Sequence, residues 1–535
     1  MGPQRQEMFA RAVETMAALM TRRSRTKPVL YASNGLPIRP TVPYQYQKRA
    51  AKREGSMKQW IPVRHFNAQS EALERERIAE RATDLVYSDP HAAGIVETFA
   101  STVVGSGLVP HPIVDADAIG LDKDKARVIQ NQERAVWHEW CPTADAGGRL
   151  SFYGQQFLLE RNLVQYGEYF VLLHMLDDPG RPYSLACQVV HPLRVKTPSD
   201  LAGNPNIRDG IELGRYGEPV AYWIKRAEAP FAADLSSNFV RVPARTGHRW
   251  NVLHTMIIQD AEQVRGISQF SAGMKYLRDL NDFLDAELVA NVVTAAFALF
   301  IQVESGDPYG TAAALAGLEE SGTAPDGSPR TDRYQEIIPG SIMYGNPGEE
   351  PKPIAASRPG QTFEPFVKVI KKAIAASLNL PYVVAFSDVS ETNYAGFRAA
   401  MLDAWRVFMC RRAWLGATCQ KIFTMLQEEA WLRGRLDVDD FYGRMSALTR
   451  CDWRGGPKGD IEPIKEIQAD ILAIQNNLKT RSEAVAERGG DFRSVIERLE
   501  EEQELLRERG LPLGAARQDV GTGKEDTDNA DAEEG

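Results

Sequence analysis

The 535-residue chain has no surplus of positive charge: 63 basic residues stand against 72 acidic ones, a net charge of -9. That excludes a surface built to clamp nucleic acid or an anionic membrane over its whole extent, because phosphate binding needs excess Lys and Arg. Any nucleic-acid contact must be local. A membrane-spanning run is also missing. The longest nearly uncharged apolar stretch, 288–301, falls short of the ~20 residues that cross a bilayer and is interrupted by Asn291 and Thr294; it reads as a buried helix. No short apolar block with a small-residue cleavage site opens the chain, so synthesis and assembly in the cytoplasm, without a membrane anchor, are expected. Cysteine is scarce. The five present (Cys141, Cys187, Cys410, Cys419, Cys451) are odd in number, widely spaced and free of any C-x-x-C pair, which predicts reduced thiols and no disulfide framework.

Catalytic signatures are equally thin. Gly105-Ser106-Gly107 follows a helix and puts Pro110 where the last glycine of a dinucleotide loop belongs, so it reads as a turn. Gly521-Thr522-Gly523-Lys524 lacks the first glycine of a phosphate loop and the hydroxyl residue that would hold magnesium. His138-Glu139 has no second histidine one turn later, and Cys187 with His191 has no second ligand pair. Asp437, Asp439 and Asp440 suit a helix cap better than a magnesium site. No G-x-S-x-G elbow occurs. No catalytic residue, metal ligand or cofactor is therefore predicted.

What is present is a mixed pattern of helices and strands. Residues 1–59 form a basic arm containing Arg22, Arg23, Arg25, Lys27, Lys48 and Arg49, open to two readings: a solvated, partly disordered segment, or one that touches nucleic acid or an acidic partner. Residues 511–535 are acidic and almost without apolar side chains, the composition of a disordered tail. Between them, Asp89-Pro90 starts a helix that Gly105 ends, and further helices are predicted from Asp122 to Trp140 and from Ser151 to Tyr166, the latter stopped by Gly167. Strands are predicted at 169–175, 184–190 and 220–225, making this an α+β, helix-dominated chain. A long helix is expected from Ser268 to about Phe300, with Leu277, Leu280, Leu284 and Leu288 on one face. A Gly- and Pro-rich insertion with short strands (303–361) follows, then a helix from Thr362 to Leu378, a polar loop, and a long helix from Phe397 to about Trp431. Two helical segments split by Gly489-Gly490 are expected between Pro463 and Arg509.

A series of short motifs runs through this framework: Val104-Gly105-Ser106-Gly107-Leu108, Gly167-Glu168, Asp209-Gly210-Ile211-Glu212, Gln263-Val264-Arg265-Gly266-Ile267-Ser268, Leu380-Pro381-Tyr382, Phe386-Ser387-Asp388, Thr392-Asn393-Tyr394-Ala395-Gly396, Trp453 with Pro457-Lys458-Gly459-Asp460, and Gly489-Gly490-Asp491. Their order and spacing over about residues 60–510 resemble the portal proteins of lambda-type tailed bacteriophages. The chain departs from that pattern at Ala395-Gly396, where the family has a small hydroxyl residue, and at Glu462-Pro463, where it has Asp-Pro.

The resemblance implies a portal-type ring subunit, not an enzyme, in a homo-oligomer of twelve copies at one vertex of the virion shell. Double-stranded DNA would pass through it non-specifically during packaging and ejection. The terminase large subunit, a head-tail connector and the major capsid or scaffolding protein would be its partners. The chain would divide into a wing (60–265), a stem helix (266–300), a clip (301–361), a second stem helix (362–381), a channel loop (382–395), a long wing helix with its following segment (396–454) and a crown (455–510). In that arrangement the DNA channel would be lined by Lys368, Lys371 and Lys372, or these lysines would form a solvated cationic face. It would also be lined by the loop residues Ser387, Asp388, Ser390, Glu391, Thr392 and Asn393. Two other classes stay open: a phage-encoded metal-dependent nuclease or protease, and a monomeric structural adaptor.

Overall fold

The computed structural model describes residues 30–31, 37–38, 68–228, 231–296, 299–302, 342–345, 363–390, 392–457, 459 and 462–510. Most of the basic arm, most of the 303–361 insertion, Glu391 and the acidic tail lie outside the described residues. Two compact units divide the chain at Asn67. In the first, Leu30–Tyr31 pairs antiparallel with Pro37–Ile38. All that follows concerns the second.

Local signals set the first helices. After α1 (Ala68–Ser88), the Asp89 carboxylate accepts from the backbone N–H of His91 and Ala92, and Pro90 supplies the first turn of α2 (Pro90–Val103). Strand β1 (Val109–Pro112) leads to α3 (Lys123–Trp140), capped by Asp122, and α4 (Phe152–Tyr166), capped by Ser151 and closed by Gly167 at φ 78°. Two antiparallel sheets come next. Strand β2 (Glu168–Met175) is central in the first, between β3 (Leu185–Val190) and a later strand. A meander of β4 (Ile207–Arg208), β5 (Ile211–Leu213), β6 (Pro219–Lys225) and β7 (Phe239–Pro243) makes the second, and β8 (Val252–Met256) then returns to pair with β2, Leu253 opposite Val171.

Strand β2 explains why the sheets stack. Its side chains alternate, so Tyr169, Val171 and Leu173 join the main helical core while Phe170 and Leu172 join a second core with Ile211, Tyr222 and Ile224 of the meander. Burial on both faces accounts for the nearly continuous apolar run at 169–173.

The main core is aromatic. Trp137 lies with its ring centroid 5.1 Å from Phe152, 5.2 Å from Trp140, 5.3 Å from Trp453 and 5.8 Å from Phe423. These rings come from α3, α4, the 39-residue helix Tyr394–Leu432 and the strand Cys451–Arg454, so one cluster fastens four distant parts of the chain. Between β8 and α7 lie α5 (Met274–Ala296), the parallel pair β9 (Leu299–Gln302) and β10 (Ile342–Gly345), and α6 (Phe363–Ser377). Helix α7 runs from Tyr394 to Leu432, α8 from Phe441 to Leu448 with Asp440 as its cap, and β11 (Cys451–Arg454) pairs with β1. The chain continues through α9 (Pro463–Gln475), α10 (Arg481–Glu487) and α11 (Phe492–Glu508).

Five expectations need correction. The stretch 288–301 is not one buried helix: Leu288 and Val289 are 63% and 61% exposed, and Leu299–Ile301 belong to a strand. Helix α5 starts at Met274, after a 3-10 turn over Gln269–Ala272, and ends at Ala296. Helix α7 starts three residues before Phe397, because Asn393 accepts from Gly396 N–H at 2.7 Å and an unsubstituted Gly396 leaves room for that cap. Residues 382–395 are accordingly not all loop, since Tyr382–Ala385 is a helical turn and Tyr394 opens α7. The 463–509 segment holds three helices. Asn477, at φ 58°, breaks it a second time, and a Thr480/Glu483 capping box restarts it.

Gly167 turns the chain from α4 into β2, and a Cβ there would collide with the Ile267 backbone. The positive φ and the collision together predict that Gly167→Ala destabilises the fold by about 2–4 kcal/mol. Urea unfolding of the variant checks this, and an unchanged midpoint would mean that the 167/267 contact can relax.

Candidate functional site

The motifs that are scattered in the sequence meet at two joints. At the first, Glu168, with no exposed surface, accepts from Arg265 Nε at 3.0 Å and Nη2 at 2.6 Å, from His254 Nε2 at 3.1 Å and from Gly266 N–H at 2.8 Å. Arg265 also donates to the carbonyls of Pro192, Val195 and Asp209. Arg75 of α1 ties the Asp209 carboxylate in at 2.5 Å. Burial alone would raise the Glu168 carboxyl, but Arg265 and His254 hold it well below the usual carboxylate range. Gly167-Glu168, Asp209-Gly210 and Arg265-Gly266 are thus one structure, located where the sheets hand the chain over to α5.

At the second joint, Arg412 of α7 donates to the carbonyls of Thr102 and Val103 at the end of α2. Gly105 packs on the Gly456 backbone, Gly489 packs on Pro457, and Arg454 reaches the Gly490 carbonyl at 3.0 Å. The neighbouring Arg411 contacts Glu160 of α4 and Gln269 before α5. Sequence reasoning passed over Glu160, Arg411 and Arg412, which lie inside helices at positions no motif marks.

The lysines of α6 and the polar loop, separate in the sequence, share one place. Lys368 and Lys372, one turn apart on a face, line a cavity of about 270 Å³ with Tyr382, Asp388, Ser390 and Thr392. Asp388 closes it: its carboxylate accepts from the Ser390 hydroxyl at 2.6 Å, from the Ser390 N–H at 3.2 Å and from the Tyr382 hydroxyl. Those hydrogen bonds, with a smaller contribution from Lys368, hold the Asp388 carboxyl down to about 2. Lys371 points elsewhere, with its ammonium 5.4 Å from the centre of the Phe386 ring. Ser387 adopts φ 52°, Thr392 N–H bonds the Val389 carbonyl, and Asn393 caps α7. The loop is therefore ordered by its own side chains, and Asp388 is an engaged acceptor.

The chemistry weighed for other residues resolves simply. His191 caps a turn through Leu193 N–H and bonds Tyr166, while Cys187 lies inside the core. All five cysteines are free thiols. Among the described residues no group of three or more His, Cys, Asp or Glu could hold a metal, and no helix is long and apolar enough to cross a membrane.

A sequence-family model for phage portal proteins of the lambda family matches residues 53–412. Portal protein B of Escherichia phage lambda is 22% identical over 480 residues, covering 84% of this chain and 88% of the relative. The portal protein of Escherichia phage N15 is likewise 22% identical over 480 residues, covering 85% and 89%. Among solved structures, a chain of the virion of a native gene transfer agent particle aligns with a TM-score of 0.41 at 15% identity, covering 85% of this chain and 96% of that one.

Glu160 offers a test of the second joint. Burial raises its carboxyl to about 7, although Arg411 pulls the other way. Its ordinary value is 4.5. The folded state therefore holds this proton more tightly than the unfolded state, so the group favours folding below pH 4.5, and that contribution is lost as pH rises through about 7. Glu160→Gln cannot titrate. Its unfolding free energy, measured by urea against the native chain, should climb between pH 5 and 8 by an amount on the order of 3 kcal/mol; a gap independent of pH would show a carboxylate ionised throughout.

Proposed function

The chain belongs to the lambda family of phage portal proteins, and from that premise we propose that it assembles into a closed ring of twelve copies at one vertex of the virus shell. The ring is a conduit for double-stranded DNA during packaging and ejection, and it docks the terminase on one side and the head-tail connector on the other. It assembles in the host cytoplasm and supplies no catalysis of its own. Shell protein or scaffold surrounds it.

The observation that carries this reading is the apolar surface one subunit leaves uncovered. Leu288 and Val289 on α5 project into solvent, as do Val369 on α6 and Ile464 on α9, which are 64% and 73% exposed. Helices α9 and α11, of 13 and 17 residues, contain no fully buried residue. Isolated helices of that length are marginal in water, so these faces call for cover by another chain. In a cyclic assembly each copy offers one face to one neighbour and a different face to the other. A monomeric adaptor would leave the faces bare, and a metal-dependent nuclease or protease would not need them.

In the ring, α5 and α6 form the stem, residues 382–395 face the channel, and Lys368, Lys371, Lys372, Ser387, Asp388, Ser390, Glu391, Thr392 and Asn393 are its DNA-facing set. A net acidic subunit suits passage, because a wall of many unopposed cations would bind phosphates tightly and stall the duplex.

Electron microscopy and native mass spectrometry of the purified chain should show closed rings. Ile464→Glu with Val289→Glu should convert them to monomers whose melting temperature changes little, and isologous dimers in the native chain would reject the ring. Lys368→Glu with Lys372→Glu should leave rings intact but lower full-length genome packaging or retention; normal packaging would remove these lysines from the channel.

A further inference from the structure

The cavity beneath the loop has the chemistry of a phosphate site that is already filled from within. Lys368 and Lys372 line it together with three hydroxyl-bearing residues, Tyr382, Ser390 and Thr392. Lysines acting as point charges together with hydroxyl donors recognise phosphate oxygens. At about 270 Å³ the space is roughly nine times the ~30 Å³ share of a liquid water, enough for a phosphate group with part of its hydration. One anion stands in it, the Asp388 carboxylate. Its two oxygens take the Ser390 and Tyr382 hydroxyls, donors that an incoming phosphate oxygen would use, and it lies within the electrostatic reach of Lys368.

We propose that this cavity binds a backbone phosphate of duplex DNA and that Asp388 is its built-in competitor. The inference rests on the channel reading above. A phosphate entering the site must displace the carboxylate from its donors, so each subunit's grip is weakened by an anion that returns as soon as the phosphate leaves. Contact is thereby local and short-lived, and a phosphate passed along the wall meets the same exchange at every subunit.

The test measures binding of a 30-base-pair duplex to assembled rings over a range of salt. Asp388→Asn keeps an acceptor for Ser390 but removes the charge; affinity should rise at least threefold, and the slope of log K against log salt should steepen by about 0.9 for each subunit engaged. Lys372→Gln, on an exposed helix position, should weaken binding and make the slope shallower. Native rings that hold no duplex at low salt would reject the channel reading itself. Rings that hold duplex with the same affinity in both variants would keep that reading and overturn the pocket. Saturable binding of inorganic phosphate that depends on Lys372, without any change in duplex affinity, would assign the cavity to a free anion and overturn the DNA inference.

Discussion

The Glu168–Arg265 pair is the interaction on which the architecture hangs. Two charges removed from water cost several kcal/mol each, and their attraction offsets this only when every remaining lone pair and N–H finds a partner. Glu168 meets that condition through Arg265, His254 and the Gly266 N–H, with Arg75 beside it. Arg265 meets it through the carbonyls of Pro192, Val195 and Asp209. The partners come from α1, β2, the segment after β3, the meander, β8 and the segment entering α5, so the pair is satisfied only when all six are in register. Gly167 and Gly266 sit beside it with backbones too close for a side chain.

Glu160 and Arg411 show what happens when the shell is incomplete. Both are buried, as the first pair is, but Glu160 has Arg411 as its ionic partner and its second oxygen meets no donor. Desolvation then outweighs the attraction, and the carboxyl titrates near neutrality where Glu168 stays ionised. The two glutamates lie eight residues apart, Glu160 inside α4 and Glu168 opening β2, and the difference follows from the number of donors each meets.

How much could be read from the chain depended on whether the signal was local. Asp89, Asp122 and Ser151 cap helices within three residues of themselves, and the sequence places those helices to within a residue. The Thr480-x-x-Glu483 box was equally local and marks a helix start that glycine spacing alone overlooked. Burial was not local. Leu288 follows Leu277, Leu280 and Leu284 at helical spacing, yet Leu277 and Leu280 are buried and Leu288 is open, a difference that spacing along one helix does not encode. The pairing of Lys368 and Lys372 with Asp388 was out of reach for the same reason: the turn at 378–382 that folds the loop back over α6 uses Asn379 at φ 55°, a conformation no short motif demands.

Helix α7 connects these levels. At 39 residues it is about 58 Å long, and its buried residues begin at Ala404 and continue to Ala430. Arg411 and Arg412 bind it near mid-length to α4 and to the end of α2, while Tyr394 and Leu402 in its first turns stay exposed. Asn393, which caps its free end, is also the last residue of the polar loop. The polar loop therefore ends at the stretch of α7 that has no buried residue, while its start is held by Val384 and Ala385 in the main core and by Phe386 against His91 of α2. Between those two holds, Asp388 and its hydroxyl donors shape the short polar stretch from Ser387 to Ser390. A change of partner at Asp388 thus bears first on the few residues around it, since the chain before them is held by the core and the chain after them by the Asn393 cap of α7.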